Sequence, residues 1–126
     1  MRLLFDTVAF IHALKAPELL SKKAVAALFD PSTICELSTI SLSEIAIKFA
    51  VGKLDFDREA AREGIVDLHV RVLNWKADHA FQMFGLPLHH GDPFDRQIIA
   101  QALAENMPVV TPDPKFRLYR GIQVIW

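Results

Sequence analysis

The sequence predicts a single α/β domain built on a parallel sheet. Five short runs of apolar and β-branched residues alternate with segments whose apolar residues recur at helical spacing. Parallel strands need long crossover connections, so this alternation is typical of a parallel sheet covered by helices on both faces. The chain has 126 residues, 52% of them hydrophobic, which is enough for one sizeable core. We therefore expect residues 1–126 to form one domain.

The predicted strands are short, and the first of them opens the chain. In order, they are Leu3–Phe5, Thr33–Ser38, Val70–Trp75, Pro108–Thr111 and Ile122–Ile125. In parallel α/β sheets, functional residues collect beyond the carboxyl ends of the strands. The residues that directly follow these runs are therefore the first candidates for a site.

Helical patterns fill the intervals between the strands. From Leu42, apolar residues recur at i+3, i+4, i+7 and i+8, which predicts a helix over Ser41–Val51 that Gly52 can end. The segment Asp92–Asn106 is a strong helix candidate because Pro93 stands at its first helical position. The remaining predicted helices are Ser21–Phe29, Asp57–Leu68 and Lys76–Phe84.

Charge and cysteine content exclude several classes of protein. The net charge of −1 gives no overall electrostatic attraction for nucleic acid, so any such contact must use a local patch. Cys35 is the only cysteine, which excludes an intramolecular disulfide and a thiolate zinc site. Asp6 comes too early for a signal peptide, and no run approaches the ~18–20 apolar residues of a membrane span. We expect a cytoplasmic protein without membrane contact.

Two aspartates lie just beyond predicted strands. Asp6 directly follows the first strand, and Asp113 stands two residues beyond the strand that ends at Thr111. Each also has a structural explanation. Asp6 suits the N-cap of the next helix with Thr7 assisting, and Asp113 suits a turn between two prolines.

Asp95 and Asp92 open the helix that follows His89 and His90. Ile98, Ile99, Ala102 and Leu103 lie three, four, seven and eight residues after Asp95, so Asp95 shares the apolar stripe that faces the sheet. A carboxylate on such a stripe needs a partner or a metal. Asp92 fits the N-cap. The alternative is a capping box of Asp92 and Asp95, which would hold Asp95 near the backbone.

Considered alone, Glu44 is explained by a structural role at the start of its helix. It stands three residues after Ser41, at capping-box spacing, and four before Lys48, a favourable helical pair. On the helical wheel it lies opposite Leu42 and Phe49. The pattern therefore favours a surface cap for Glu44.

Considered together, these acids indicate a metal site. In a parallel sheet, the carboxyl ends of the strands and the starts of the helices that follow them lie at one edge. Carboxylates gathered at that edge repel each other. Two unit charges ~4 Å apart cost about 4 kcal/mol at an effective dielectric near 20. Such a cluster persists when it binds a hard cation, and oxygen ligands suit Mg²⁺ or Mn²⁺. The usual chemistry of this arrangement is phosphodiester hydrolysis.

Several segments, in this order along the chain, resemble a PIN-domain ribonuclease of the VapC toxin type. They are Leu3–Thr7, Ser41–Lys48, Leu86–Arg96, Ile99–Ala102 and Val110–Asp113. The resemblance implies a three-layer α/β fold with five parallel strands in the order 3-2-1-4-5. It also implies a metal-dependent endoribonuclease that acts on RNA, the toxin of a toxin–antitoxin pair, with a small cognate antitoxin protein and a homodimeric state.

The resemblance also implies roles for individual residues. The catalytic and metal-ligating acids are Asp6, Glu44, Asp95 and Asp113, and the accessory residues are Asp92, Thr7 and Thr111. Two positions depart from the family pattern. Val8 stands where relatives often have histidine, and Gly91 stands where arginine is frequent. Neither change removes a ligand.

Other residues are weaker candidates. The residues placed at the RNA phosphates are Lys48, Arg96, Lys115 and Arg117, for which an ordinary solvated surface is an equal alternative. His89 and His90 precede the acidic helix, which puts them within reach of the site entrance, but a solvated or capping role is the favoured interpretation. The segment Phe81–Leu88 is either an exposed patch for a partner or ordinary core.

Two other functions share part of this pattern of acids. A catalytically inactive PIN-like module that binds RNA or protein would be favoured by the loss of one acid, and none is lost. A haloacid-type phosphatase needs a second aspartate two residues after the first, but position 8 is valine. The metal-dependent ribonuclease is therefore the primary prediction.

Overall fold

Five parallel strands form one sheet at the centre of the protein, described here by a computed structural model of residues 1–126. The strands are β1 (Arg2–Phe5), β2 (Ile34–Ser38), β3 (Arg71–Leu73), β4 (Val109–Val110) and β5 (Val124–Ile125). Their order is β3-β2-β1-β4-β5, and every neighbouring pair is parallel. The predicted fold class and strand order are confirmed, and all carboxyl ends of the strands lie at one edge.

Six α-helices connect and cover the strands. They are α1 (Thr7–Lys15), α2 (Lys22–Leu28), α3 (Thr39–Ala50), α4 (Arg58–Asp67), α5 (Ala77–Gln82) and α6 (Pro93–Glu105). Short 3₁₀ turns span Pro17–Leu19, Met83–Gly85 and Pro114–Leu118. The sequence patterns did not delimit α1, because its residues are apolar at most positions and form no clear stripe. None of the helices is both long and apolar enough to cross a bilayer.

The hydrophobic core has two parts, one on each face of the sheet. Successive side chains of a strand point to opposite faces. Leu3 and Phe5 therefore pack into one cluster and Leu4 into the other. The same alternation places Val110 with the first cluster and Val109 with the second. The central strands are thus buried on both faces, as their continuous apolar runs require.

Polar N-caps set where most helices begin. Ser21 Oγ accepts from the Ala24 amide at 3.1 Å, and Asp57 Oδ1 accepts from the Ala60 amide at 2.8 Å. Asn106 ends α6 in the left-handed region with φ of 52°. These caps satisfy backbone groups that a helix end otherwise leaves without partners.

Helix α3 begins earlier than the sequence predicted. Its N-cap is Ser38, whose Oγ accepts from the Ile40 amide at 3.0 Å. Ser41 therefore lies inside the helix, and the predicted capping box of Ser41 and Glu44 is wrong. The difference matters for function, because it decides which face of α3 is buried.

Hydrogen bonds around the buried His79 anchor the far end of α6. The Lys76 amide donates to Nδ1 of His79 at 3.0 Å, so the neutral ring carries its proton on Nε2, 3.1 Å from Glu105 Oε2. Glu105 also accepts from Arg2 at 3.1 Å. The contacts with His79 and Arg2 hold the pKa of Glu105 below its usual value. The network fixes α6, and so the acids at its other end.

Candidate active site

Five acidic residues meet at the carboxyl edge of the sheet. Asp6 follows β1 and Asp113 follows the neighbouring β4, while Asp92 and Asp95 open α6 and Glu44 lies in α3, directly after β2. The charges of Asp95 and Glu44 help to raise the pKa of Asp6, and those of Asp92, Glu44 and Asp113 help to raise the pKa of Asp95. The structure therefore brings together the acids that the sequence singled out.

Asp6 is buried and serves as cap and site residue at once. Its Oδ1 accepts from the Ala9 amide at 2.7 Å, and its Oδ2 accepts from Thr111 Oγ1 at 2.5 Å. Burial is the largest influence and raises the pKa of Asp6 to about 7, although both hydrogen bonds favour the ionised form. The capping interpretation is confirmed, and the cap fixes the carboxylate at the carboxyl end of β1.

Two threonines connect the elements that carry the acids. Thr111 Oγ1 donates to Asp6 and accepts from the Asp113 amide at 3.0 Å, so one hydroxyl joins the ends of β1 and β4. Thr7 Oγ1 donates to Ser41 Oγ at 2.9 Å, which ties α1 to α3. Asp113 also caps the turn that follows, because its Oδ1 accepts from the Lys115 amide at 2.9 Å. Thr111 thus contacts Asp6 directly, whereas Thr7 links α1 to the helix that carries Glu44.

Glu44 is buried, with 3% of its surface exposed, which corrects the expected surface cap. The stripe taken as core-facing is partly open, since Phe49 is 46% exposed. Ser41, Glu44 and Ile45 form the buried face of α3, which packs between α1 and α6. The surface position that the helical wheel predicted for Glu44 is wrong. Which face of α3 is buried depends on the helices that pack against it, and not on apolar content alone.

Glu44 makes one strong contact and leaves one oxygen without a partner. Its Oε2 lies 2.5 Å from Nζ of Lys48, so the predicted helical ion pair is confirmed. Oε1 is buried and has no hydrogen-bond partner. The contact with Glu44 raises the pKa of Lys48, and the charges of Asp92 and Asp95 add to it. Lys48 therefore neutralises part of the acidic cluster.

Asp95 points inward from the first turn of α6. Burial raises its pKa to about 6, and repulsion from Asp92 is the next contribution. Asp92 accepts from the Phe94 and Asp95 amides at 2.9 and 3.0 Å, so its predicted N-cap role is confirmed. The Asp95 carboxylate instead faces His90, with Oδ2 3.4 Å from Nε2.

Sequence reasoning missed His90. Only 8% of its side chain is exposed, and Nδ1 lies 2.7 Å from the Tyr119 hydroxyl. His90 is therefore neither solvated nor a cap. No local pattern could show this, because Tyr119 lies 29 residues further along the chain. The remaining histidine of the pair, His89, is exposed and sets its ring edge-on to Tyr119.

The residues predicted to contact RNA differ in whether their side chains already bind other groups of the protein. Arg96 donates to the Leu86 and Pro87 carbonyls and to the Tyr119 hydroxyl, so its guanidinium already holds the fold together. Lys115 and Arg117 are exposed just past Asp113. Contact of these residues with RNA stays a prediction.

The segment Phe81–Leu88 is mostly exposed rather than core. Phe84 and Leu88 are 88% and 79% exposed, and the Phe81 and Phe84 rings stack with centroids 6.2 Å apart. Leu86 alone is buried. The segment therefore presents an apolar surface beside the helix that carries Asp95.

The residues present fit a hard divalent cation. In the structure no three His, Cys, Asp or Glu side chains already form a complete ligand set. Oxygens of Asp6, Glu44 and Asp113 face Thr111, Lys48 and a backbone amide instead. The donors are nevertheless all carboxylates, they repel one another, and Glu44 Oε1 is buried without a partner. These are features that a cation such as Mg²⁺ would satisfy.

A parallel sheet in the order β3-β2-β1-β4-β5, with helices on both faces and acidic residues at its carboxyl edge, is a PIN-like α/β fold. The PIN-domain family profile matches residues 3–122, and the chain belongs to the PIN-domain family. No curated protein is significantly similar in sequence.

Solved structures share the fold at low sequence identity. The chain is similar to VapBC2 from Rickettsia felis, solved with a promoter DNA fragment, with 18% identity, a TM-score of 0.73, and coverage of 98% of this chain and 97% of that one. DNA-bound VapBC from Salmonella typhimurium gives 17% identity, a TM-score of 0.67 and coverage of 98% and 96%. For VapBC-1 from nontypeable Haemophilus influenzae the sequence identity is 20% and the TM-score is 0.66. The match covers 98% of this chain and 96% of that one.

Proposed function

We propose that this protein is a Mg²⁺- or Mn²⁺-dependent endoribonuclease and the toxin of a toxin–antitoxin pair. The observation that carries the proposal is the convergence of buried carboxylates that repel one another at the sheet edge. Membership of the PIN-domain family and the similarity to VapBC complexes support it.

Each acid has a role in this proposal. Asp6, Glu44, Asp95 and Asp113 hold the cation, which would activate water and stabilise the leaving oxygen of an RNA phosphodiester. The Thr111 hydroxyl donates to the Asp6 carboxylate and accepts from the Asp113 amide, so it holds these two residues close together. Asp92 fixes the first turn of α6, so that Asp95 projects inward.

Basic residues near the acidic cluster are the proposed contacts for the RNA phosphates. Lys115 and Arg117 are exposed beside Asp113, where they can reach the phosphates that flank the scissile bond. Lys48 offsets part of the carboxylate charge at the opposite side of the site. Local charge of this kind serves an anionic substrate although the net charge of the chain is only −1.

Cleavage of single-stranded RNA is expected to require millimolar Mg²⁺ or Mn²⁺ and to stop in excess chelator. The measurement is the rate of fragment formation on a mixed set of labelled RNAs, with DNA of the same sequences for comparison. Restoring Mg²⁺ to the chelated sample should restore the rate, which controls for loss of protein. Undiminished cleavage in excess chelator would contradict the metal mechanism.

The second candidate is a PIN-like module that binds RNA or protein without cleaving it. It is favoured by one observation, that Lys48 already engages Glu44 and no complete ligand set is preformed. Retention of all four acids favours the enzyme. Tight RNA binding without fragments in saturating Mg²⁺ and Mn²⁺ would establish the module.

We expect the protein to form a homodimer and to be inhibited by a small cognate protein. The exposed apolar segment Phe81–Leu88 offers surface for association. An arginine of the inhibitor could pair with the site carboxylates. Light scattering should show a dimer at micromolar concentration. A monomer there, or full activity with a saturating protein from the neighbouring gene, would contradict these two expectations.

A further inference from the structure

We infer that His90 is a positioning residue for Asp95, held in a single tautomer by Tyr119 and Arg96. The inference rests on the proposed function, which makes Asp95 a metal ligand. It is carried by a continuous chain of partly buried polar contacts from Arg96 through Tyr119 and His90 to Asp95.

The chain starts at a group that can only donate. The guanidinium of Arg96 is fixed by two carbonyls, with Nη1 2.8 Å from Pro87 O and Nη2 3.2 Å from Leu86 O. Nη1 also lies 3.1 Å from the Tyr119 hydroxyl oxygen. Because arginine has no acceptor, that oxygen must accept. The Tyr119 hydroxyl proton is then free to be donated elsewhere.

The acceptor for that proton is His90. Tyr119 is only 2% exposed, and its oxygen lies 2.7 Å from His90 Nδ1. If Nδ1 accepts, the neutral imidazole carries its proton on Nε2. Nε2 has no hydrogen-bond partner and lies 3.4 Å from Oδ2 of Asp95. The Nε2–H group of His90 therefore points at Oδ2 of Asp95, and Oδ1 of Asp95 remains available to a cation.

The separation of 3.4 Å is longer than a good hydrogen bond, so in this structure the contact is electrostatic. Catalytic hydrogen bonds are often long without substrate and shorten in the working complex. Carboxylates that bind metals are commonly oriented by such donors, and loss of the donor costs about 10–100-fold in metal affinity or activity. His90 would thus limit the rotamers of Asp95 to those that present its free oxygen to the cation.

The first arm of the test is the tautomer, which needs neither RNA nor metal. Nitrogen-15 NMR of the full chain, at a pH where the ring shifts themselves report a neutral imidazole, should show His90 with its proton on Nε2. In Tyr119→Phe, which keeps the ring and removes the hydroxyl, this preference should weaken. A His90 ring with its proton on Nδ1 in the parent protein would overturn the inference.

The second arm uses two amide substitutions of His90. Glutamine can place an N–H near the Nε2 position, whereas asparagine reaches only the Nδ1 position. His90→Asn is expected to lower kcat for RNA about 10–100-fold with little change in KM, and to weaken the Mn²⁺-induced rise in Tm. His90→Gln should recover most of both. His69→Asn, at an exposed histidine that does not touch this chain of contacts, is the control and should leave both unchanged.

The outcomes separate the inference from the function on which it rests. Equal losses in His90→Gln and His90→Asn would show a packing role, and unchanged kcat in His90→Asn would show no role in the reaction. Either result would overturn the inference. If the parent protein cleaves no RNA, the proposed function fails, and the Mn²⁺-induced rise in Tm still decides the positioning role. A parent that shows neither cleavage nor a Tm response overturns both.

Discussion

Asp95→Asn is expected to lower RNA cleavage by at least ~100-fold while the protein stays folded. Asparagine has nearly the same shape but no charge, so the substitution removes a cation ligand without opening a cavity. Electrostatic contributions of several kcal/mol are lost with it. Asp95 repels Asp92 and Glu44, so the variant should melt no lower than the parent when both lack divalent cations. Turnover in Mg²⁺, together with Tm, checks both parts.

Asp92→Asn is the matched control for that experiment. Asp92 caps α6 by accepting from the Phe94 and Asp95 amides, and asparagine caps a helix as well as aspartate does. Most of the activity should therefore remain. If Asp92→Asn is inactive and Asp95→Asn is active, the roles assigned to these residues are reversed.

The protein stripped of divalent cations is expected to become less stable as pH rises from about 4 to about 7. Burial is the largest of the influences that raise the pKa of Asp6 to about 7 and that of Asp95 to about 6, above the ~3.9 of an unfolded aspartate. In this window the folded state binds more protons than the unfolded state, so unfolding becomes easier as pH rises. Paired surface carboxylates give the opposite trend.

The effect should be large because Asp6 is buried. It amounts to a few kcal/mol, or on the order of 10 °C in Tm, for a domain of this size. Thermal melts between about pH 4 and about pH 8 in chelator measure it. In Asp6→Asn the slope should be much reduced, since asparagine does not titrate. A melting temperature that falls on acidification over this range would contradict the assignment.

Divalent cations should reverse the loss of stability. A cation that binds only the folded state stabilises it by RT ln(1 + [L]/Kd), about 2.7 kcal/mol at a hundredfold excess over Kd. We expect a rise in Tm of about 5–15 °C at neutral pH. Asp113→Asn should keep the turn contact with the Lys115 amide and lose most of this rise. If neither protein responds to Mg²⁺ or Mn²⁺, the acids have capping and turn roles only.

The sequence predicted most of the fold because its signals are local. Buried parallel strands read as short apolar runs, so all five strands were placed, although the ends of several differ by one or two residues. Asp92 indicated the start of α6, because a capping side chain bonds an amide only two or three residues away. Helix α3 shows the limit, since Ser38 and Ser41 are both plausible caps and only the first is used.

The sequence alone singled out Asp6, Asp95 and Asp113 as candidate site residues, through two strand ends and one helix start. Asp6 and Asp113 follow β1 and β4, and the stripe that includes Ile98 and Ile99 directed Asp95 inward. Parallel topology guarantees that such positions share one edge. These inferences need only periodicity and strand direction, which the order of residues encodes directly.

Only the tertiary structure decided how two of the site residues are used. Glu44 is buried because α1 and α6 pack against that face of α3, whereas its local pattern favoured the surface. His90 faces Asp95 because Tyr119, distant in sequence, holds its other nitrogen. Both depend on contacts between elements far apart in the chain. Local periodicity carries no information about such contacts, because the buried face of a helix is chosen by its neighbours.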